Sequence, residues 1–241
     1  IVGVRPQVIK AAPLIKLLVK HRQVELQLLH TGPHYDFEMS RVFFRDFNLP
    51  NPLINLGVGS GTHAEQTAAM MVGIERAMFR HSPDVILVFG DANSALAGAL
   101  AAAKIRIPIA HIESGLRSGN LDMPEEVNRI LVDHCSDMLF APTELAARNL
   151  LREGIPSKSV FHTGDTMVDA MLQWQRAIES STILYRLALQ PESYVVLTTH
   201  RVENVDNRRR LKAILSAILK IGVLAVFPIH PRTRKNLRRF G

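Results

Sequence analysis

Short apolar runs rich in Val, Ile and Leu alternate along the chain with longer stretches whose apolar positions recur at helical spacing. The pattern predicts strands at Ile1–Val4, Val24–His30, Val85–Gly90, Pro108–Glu113, Met138–Pro142, Val160–Thr163, Val195–His200 and Leu224–Ile229. It predicts helices over Val8–Lys20, Thr62–His81, Ser94–Lys104, Pro124–Cys135, Thr143–Glu153, Thr166–Ile178, Asn207–Ile221 and Pro231–Phe240. Pro124, followed by Glu125 and Glu126, suits a helix start, and Thr143 and Asp165 suit caps. The Ala-rich run Ala95–Ala103 reads as a helix packed closely on a sheet. Strict alternation of strand and helix implies parallel sheets covered on both faces.

Periodicity is weakest over Arg176–Ser193, a polar stretch carrying Pro191. This divides the chain into an α/β domain over 1–175, a linker over 176–193 and a further α/β segment over 194–241. That last segment holds one βαβ unit and a helix, small for a whole domain. The chain also opens inside a predicted strand without Met and closes in a predicted helix, so a fragment is expected.

A hydrophobic fraction of 47% excludes disorder, and 14 Gly with one Cys exclude collagen-like and disulfide-rich classes. The lone Cys135 fits a reducing cytoplasm. No apolar run approaches the ~20 residues of a membrane span. The net charge of +7 is uneven, because residues 201–241 hold 11 basic and 2 acidic residues. That basic stretch has only Phe227 and Phe240 as aromatics, which argues against nucleic acid as its partner. It reads instead as helix faces beside a site for an anionic ligand.

Open parallel sheets bind ligands beyond the carboxyl ends of their strands. The polar residues predicted there are Arg5, His34, Asp91, His111, Glu113, Arg117, His200, Arg201 and His230, with Lys10 and Glu125 nearby. Each has a plainer reading as well. Asp91 suits a cap for the helix near Ser94, and Glu125 suits a first-turn acid pairing with Arg129. His111 and Glu113 share a strand face, but two ligands are too few to imply a metal. His63, His81, His134 and His162 read as surface or satisfied histidines. The loop Gly57-Val58-Gly59-Ser60-Gly61 follows no clear strand and reads as a flexible connection, and neither a P-loop nor a nucleophile elbow occurs.

At these positions the chain resembles the non-hydrolysing UDP-N-acetylglucosamine 2-epimerases. Their opening G-T-R-P-E stands here as Gly3-Val4-Arg5-Pro6-Gln7, followed by Ile9-Lys10, and their T-G-Q-H as Thr31-Gly32-Pro33-His34. The likeness continues through Gly90-Asp91-Ala92-Asn93-Ser94, His111-Ile112-Glu113-Ser114-Gly115-Leu116-Arg117 and Met123-Pro124-Glu125-Glu126-Val127-Asn128-Arg129. Ala141-Pro142-Thr143-Glu144, Thr163-Gly164-Asp165-Thr166, Thr199-His200-Arg201-Val202-Glu203-Asn204 and Pro228-Ile229-His230-Pro231 complete a collinear series.

The resemblance implies a glycosyltransferase-B-like fold of two Rossmann-like domains, the second incomplete here. It implies interconversion of UDP-N-acetylglucosamine and UDP-N-acetylmannosamine in the cytoplasm by a homodimer, without NAD or metal cofactor, through loss and re-addition of UDP. It assigns Asp91, Glu113, Glu125 and His200 to catalysis. It assigns Arg5, Lys10, His34, Arg117, Arg129, Arg201, Glu203, Asn204 and His230 to substrate binding. Val4, Gln7 and Pro33 depart from the family's Thr, Glu and Gln, the last of which helps form a regulatory substrate site. The chain also stops before the S-G-G-x-Q-E-E segment that such enzymes use to hold uridine and ribose. Alternatives are a 2-epimerase of a UDP-2,3-diacetamido-uronic acid, a hydrolysing epimerase, a glycosyltransferase of the same fold and a non-catalytic UDP-sugar-binding fragment.

Overall fold

The computed structural model describes residues 1–32 and 37–241. The chain divides into two compact units, Ile1–Gln175 and Arg176–Gly241.

The first unit begins with α1 (Arg5–Leu18), β1 (Leu29–His30), α2 (Phe37–Asp46), β2 (Ile54–Asn55), α3 (His63–His81), β3 (Ile86–Phe89) and α4 (Asn93–Ile105). It continues with β4 (Ile109–Ile112), α5 (Pro124–Cys135), β5 (Met138–Ala141), α6 (Glu144–Arg152), β6 (Val160–His162) and α7 (Thr166–Gln173). One sheet pairs β1 with β2 and another runs β3-β4-β5-β6, every pairing parallel. Ile1 and Val2 link the two sheets by hydrogen bonds, Val2 on the side of β1 and Ile1 on the side of β3. The Val2 amide donates to Leu29 at 2.9 Å, and the amino group of Ile1 donates to Leu87 at 2.9 Å. The strand predicted at Ile1–Val4 is therefore a single bridge, Val2 to His30, because Pro6 turns the chain into α1 immediately. The run Val24–His30 is a strand only at Leu29–His30, where ladder partners exist. Ile54–Asn55 and Phe37–Asp46, unpredicted, form β2 and α2.

Alternation along β3 explains why helices cover both faces. Ile86 and Val88 enter a core with Met70, Ile74 and Ala97, from α3 and α4. Leu87 and Phe89 face the opposite core with Val8, Ala12 and Ile15 of α1 and Phe44 of α2. Fully burying a side chain such as Ile74 contributes about 2–3 kcal/mol. The alanines of α4 permit close approach, and a Cβ on Gly98 would sit 3.0 Å from Val88 Cγ1. Thr143 and Asp165 do cap their helices, accepting from Ala146 at 3.1 Å and Met167 at 2.8 Å.

The second unit holds α8 (Gln175–Glu179, which straddles the division), α9 (Ile183–Arg186), β7 (Tyr194–Val196), α10 (Val202–Val205), α11 (Arg208–Lys220), β8 (Leu224–Val226) and α12 (Pro231–Phe240). Strands β7 and β8 pair in parallel. Asp206 joins α10 to α12 by accepting from Arg232 Nε at 2.9 Å and Asn236 Nδ2 at 2.7 Å. The bond from Arg232 holds its carboxyl below the usual carboxylate range.

Candidate functional site

The carboxyl ends of β3 and β4 gather the charged groups of the first unit. The chain leaves β3 through Gly90, whose φ of +61° suits glycine. A Cβ there would lie 3.2 Å from Glu113 Oε2 and 3.7 Å from Lys10 Nζ. Gly90 thus leaves room for the Glu113 carboxylate, at the end of β4, against its own backbone, while Lys10 of α1 forms an ion pair with Glu113. Glu113 itself adopts φ +71°, a left-handed conformation costly for a residue with a Cβ. Arg5, the first residue of α1, is exposed.

Asp91 does not cap α4. The N-cap is Ala92, and the Asp91 carboxylate is instead paired with Arg129 Nη2. Asn128 Nδ2 donates to the Asp91 carbonyl at 2.8 Å and to Asn93 Oδ1 at 3.2 Å. The expected Glu125–Arg129 pair is not formed. Arg129 Nη1 binds Glu126 at 2.8 Å, because Glu126 faces inward from α5 while Glu125 is exposed. Glu126, only 1% exposed, also accepts from the amides of Ser118 at 2.9 Å and Gly119 at 2.8 Å. Burial alone would raise its pKa, but these backbone bonds and Arg129 hold the carboxyl below its ordinary range.

A pH signature follows. A carboxyl with a depressed native pKa contributes stability above its unfolded value, about 4.3, and loses it as pH falls through the native value. Glu126→Gln is expected to cost about 2 kcal/mol at pH 7, as charge-assisted bonds are lost. It should also flatten the acid limb of stability against pH, measured by urea unfolding from pH 3 to 7. An unchanged limb would show that Glu126 does not supply it.

Arg117 has its guanidinium on Asp133 (2.7 Å), Glu153 (2.6 Å) and the Leu116 carbonyl (2.7 Å). Burial works against its charge, but hydrogen bonding to Glu153 and the Asp133 charge raise its pKa overall. His111 is equally occupied, with Nδ1 2.7 Å from Asp133 and Nε2 2.9 Å from the Gly90 carbonyl. Neither ring nitrogen is left for a metal. His63 reaches Asn93 at 3.2 Å, and His134 lies 3.4 Å from Glu153. The glycine loop after β2 is built rather than slack. Gly59 donates to the Gly32 carbonyl at 2.7 Å and Val58 to Thr31 at 3.2 Å.

His200, Arg201, Glu203, Asn204 and His230 lie in the second unit. His200 follows β7, and its ring is 6.1 Å from that of His230, which caps α12 by accepting from the Arg232 amide at 3.2 Å. Arg201 and Glu203 are exposed, and the Asn204 amide donates to Arg201 at 3.0 Å across α10. His34 lies outside the described residues. Glu126, Asp133 and Gln7 support the site but are not among the residues that spacing points to. Gln7 is buried, accepting from Gly3 at 2.8 Å and Ser94 at 2.7 Å and donating to Phe89 at 2.7 Å. A tandem acid pair and a helix acid spaced from a strand histidine were the available signals.

Parallel sheets with carboxylates and cations at their carboxyl ends define an α/β protein suited to an anionic, hydroxyl-rich ligand. Known proteins narrow this. Residues 16–240 match the family model for UDP-N-acetylglucosamine 2-epimerase. A UDP-N-acetylglucosamine 2-epimerase of Methanocaldococcus jannaschii is 47% identical over the whole chain, which spans 67% of that relative. The crystal structure of the M. jannaschii enzyme with UDP-GlcNAc and UDP superposes with a TM-score of 0.92 over 99% of this chain and 67% of that one, at 46% identity. A UDP-2,3-diacetamido-2,3-dideoxy-D-glucuronate 2-epimerase of Pseudomonas aeruginosa is 43% identical over the whole chain and 68% of its own length. The chain belongs to the UDP-N-acetylglucosamine 2-epimerase family, a family of isomerases with a glycosyltransferase-B-like fold, and spans about two thirds of the length of these relatives.

Proposed function

We propose that the protein epimerises UDP-N-acetylglucosamine at C2 to UDP-N-acetylmannosamine through a glycal. The observation carrying this reading is the convergence of Asp91 and Glu113, each paired with a cation, at one sheet edge of a chain in this family. The C2 hydrogen has no neighbouring carbonyl to acidify it, so a carbanion route is closed. Instead a carboxylate takes the C2 proton, the C2–H electrons form the C1=C2 bond, and the C1–O bond breaks with its electrons leaving on UDP. Reprotonation at C2 on the other face and return of UDP to C1 complete the exchange. Asp91, Glu113 and Glu125 are the proposed proton carriers. His200 supports the departing diphosphate, and Arg5, Lys10, His34, Arg129, Arg201, Glu203, Asn204 and His230 hold the substrate, while Arg117, tied to Asp133 and Glu153, steadies the loop beside it.

The Pseudomonas relative acts on a diacetamido-uronate, at an identity near that of the N-acetylglucosamine enzymes, so the second substrate is the alternative. A homodimer in the cytoplasm goes with the family likeness, and the partly buried lone Cys135 with a reducing compartment. Among the described residues no helix is long and apolar enough to cross a membrane. In deuterated buffer the full-length polypeptide is expected to place solvent deuterium at C2 of both epimers. Mass and NMR analysis with each UDP-sugar separates the substrates. Epimerisation without label would sink the mechanism, and free N-acetylmannosamine as product would show a hydrolysing enzyme.

A further inference from the structure

We propose that the buried pair His111–Asp133 is a positioning strut that sets Asp91 and Glu113 in register with each other. Neither residue has a place in the proton transfers, yet both are sealed from solvent. Asp133 projects from α5 and bonds three groups. Oδ1 meets His111 Nδ1 at 2.7 Å, while Oδ2 accepts from the Gly115 amide at 3.0 Å and from Arg117 at 2.7 Å. The far side of the His111 ring meets the Gly90 carbonyl at 2.9 Å. A carbonyl and an ionised carboxylate both only accept, so the ring is the donor in each bond and joins Asp133 to the Gly90 carbonyl. One carboxylate thereby grips the residues on both sides of Glu113 and, through the imidazole, the residue before Asp91. The two carboxylates stand on loops after different strands, and the ring spans the two. A buried polar chain with every member bonded is rigid, and losing one member leaves the others unsatisfied.

The inference rests on the epimerase reading, and two variants separate it from a purely structural role. The amide of His111→Asn reaches where Nδ1 sits and keeps the bond to Asp133. That of His111→Gln reaches where Nε2 sits and keeps the bond to Gly90. In the full-length polypeptide both are expected to lose similar thermal stability. His111→Gln should recover kcat to within about threefold of the parent, and His111→Asn should lose about tenfold to a hundredfold with KM little changed, since small misplacements are costly in rate. Equal losses of kcat in the two variants would overturn the strut.

Amide NMR shifts decide the point without turnover. The Asp91 and Glu113 signals are expected to move in His111→Asn, whereas Asp91 should stay in place in His111→Gln. Should His111→Asn not fold, His111→Gln alone decides, and an Asp91 amide that moves in it overturns the proposal. A parent with no epimerisation at all removes the epimerase reading while leaving the amide test in force.

Discussion

Glu113→Gln is expected to lower turnover by about a hundredfold or more, as loss of a proton-transferring carboxylate does. The amide keeps the shape of the side chain but cannot take a proton from carbon or return one. It also cancels the charge opposite Lys10, leaving that ammonium paired with a neutral oxygen. Glu113 is the member of the trio with a physical mark of function beyond its position. Its backbone sits at φ +71°, where a side chain typically costs on the order of 1–3 kcal/mol. Strain of that kind persists where the surroundings impose it, and the surroundings here are the bonds of Gly115 and His111 to Asp133. Single-turnover and steady-state rates with UDP-N-acetylglucosamine check the expectation, with calorimetry for UDP as the control. Retained binding with lost turnover supports a proton-carrying role. Near-normal turnover removes Glu113 from the mechanism and shifts the weight to Asp91 and Glu125.

The sequence carried the frame of this site better than its interior. Helices α5 and α12 begin at Pro124 and Pro231, as the prolines and flanking polarity predict. Strands β3 to β6 lie within the predicted apolar runs, because buried parallel strands are nearly continuous in Val, Ile and Leu. The shortest elements escaped for a physical reason. Ile54–Asn55 is too brief to alternate, and it is a strand only because β1 lies beside it. The Gly57–Gly61 loop looked slack because its partners, Thr31 and Gly32, are distant in sequence.

The choice between Glu125 and Glu126 could not be read from spacing. Both lie within reach of Arg129 along a helix, and burial against Ser118 and Gly119 selects Glu126. Likewise His111, Asp133 and Arg117 read as separate residues until the fold joins them into one network. Residues that touch a ligand sit at strand ends and can be located by pattern. Those that hold them there are found through tertiary contacts.

Gly115→Ala tests that second class, and it should be the most destabilising change to the loop after β4. Gly115 adopts φ +77°, which costs an alanine about 1 kcal/mol. The larger penalty is steric. The new Cβ would lie 2.3 Å from the Ala146 carbonyl oxygen and 2.9 Å from Leu150 Cγ. Both belong to α6, whose Asn149 also donates to the Gly115 carbonyl at 3.0 Å. A backbone carbonyl cannot swing aside as a side-chain tip can, so α6 must move and disturb the core that its Leu150 shares with Leu139 and Ala141. Together these effects should cost about 3 kcal/mol or more, which lowers Tm by about 10 °C for a unit of this size. Gly119→Ala supplies the comparison, having φ +72° and nothing within 4 Å of the added Cβ. It should cost only the conformational part, about 1 kcal/mol. Trp174, which packs on Phe47 with ring centroids 4.6 Å apart, reports unfolding of the first unit by fluorescence. Equal losses in the two variants would mean that α6 does not bear on the loop. A loss confined to Gly115→Ala would place the support of Glu113 in the contact between that loop and α6.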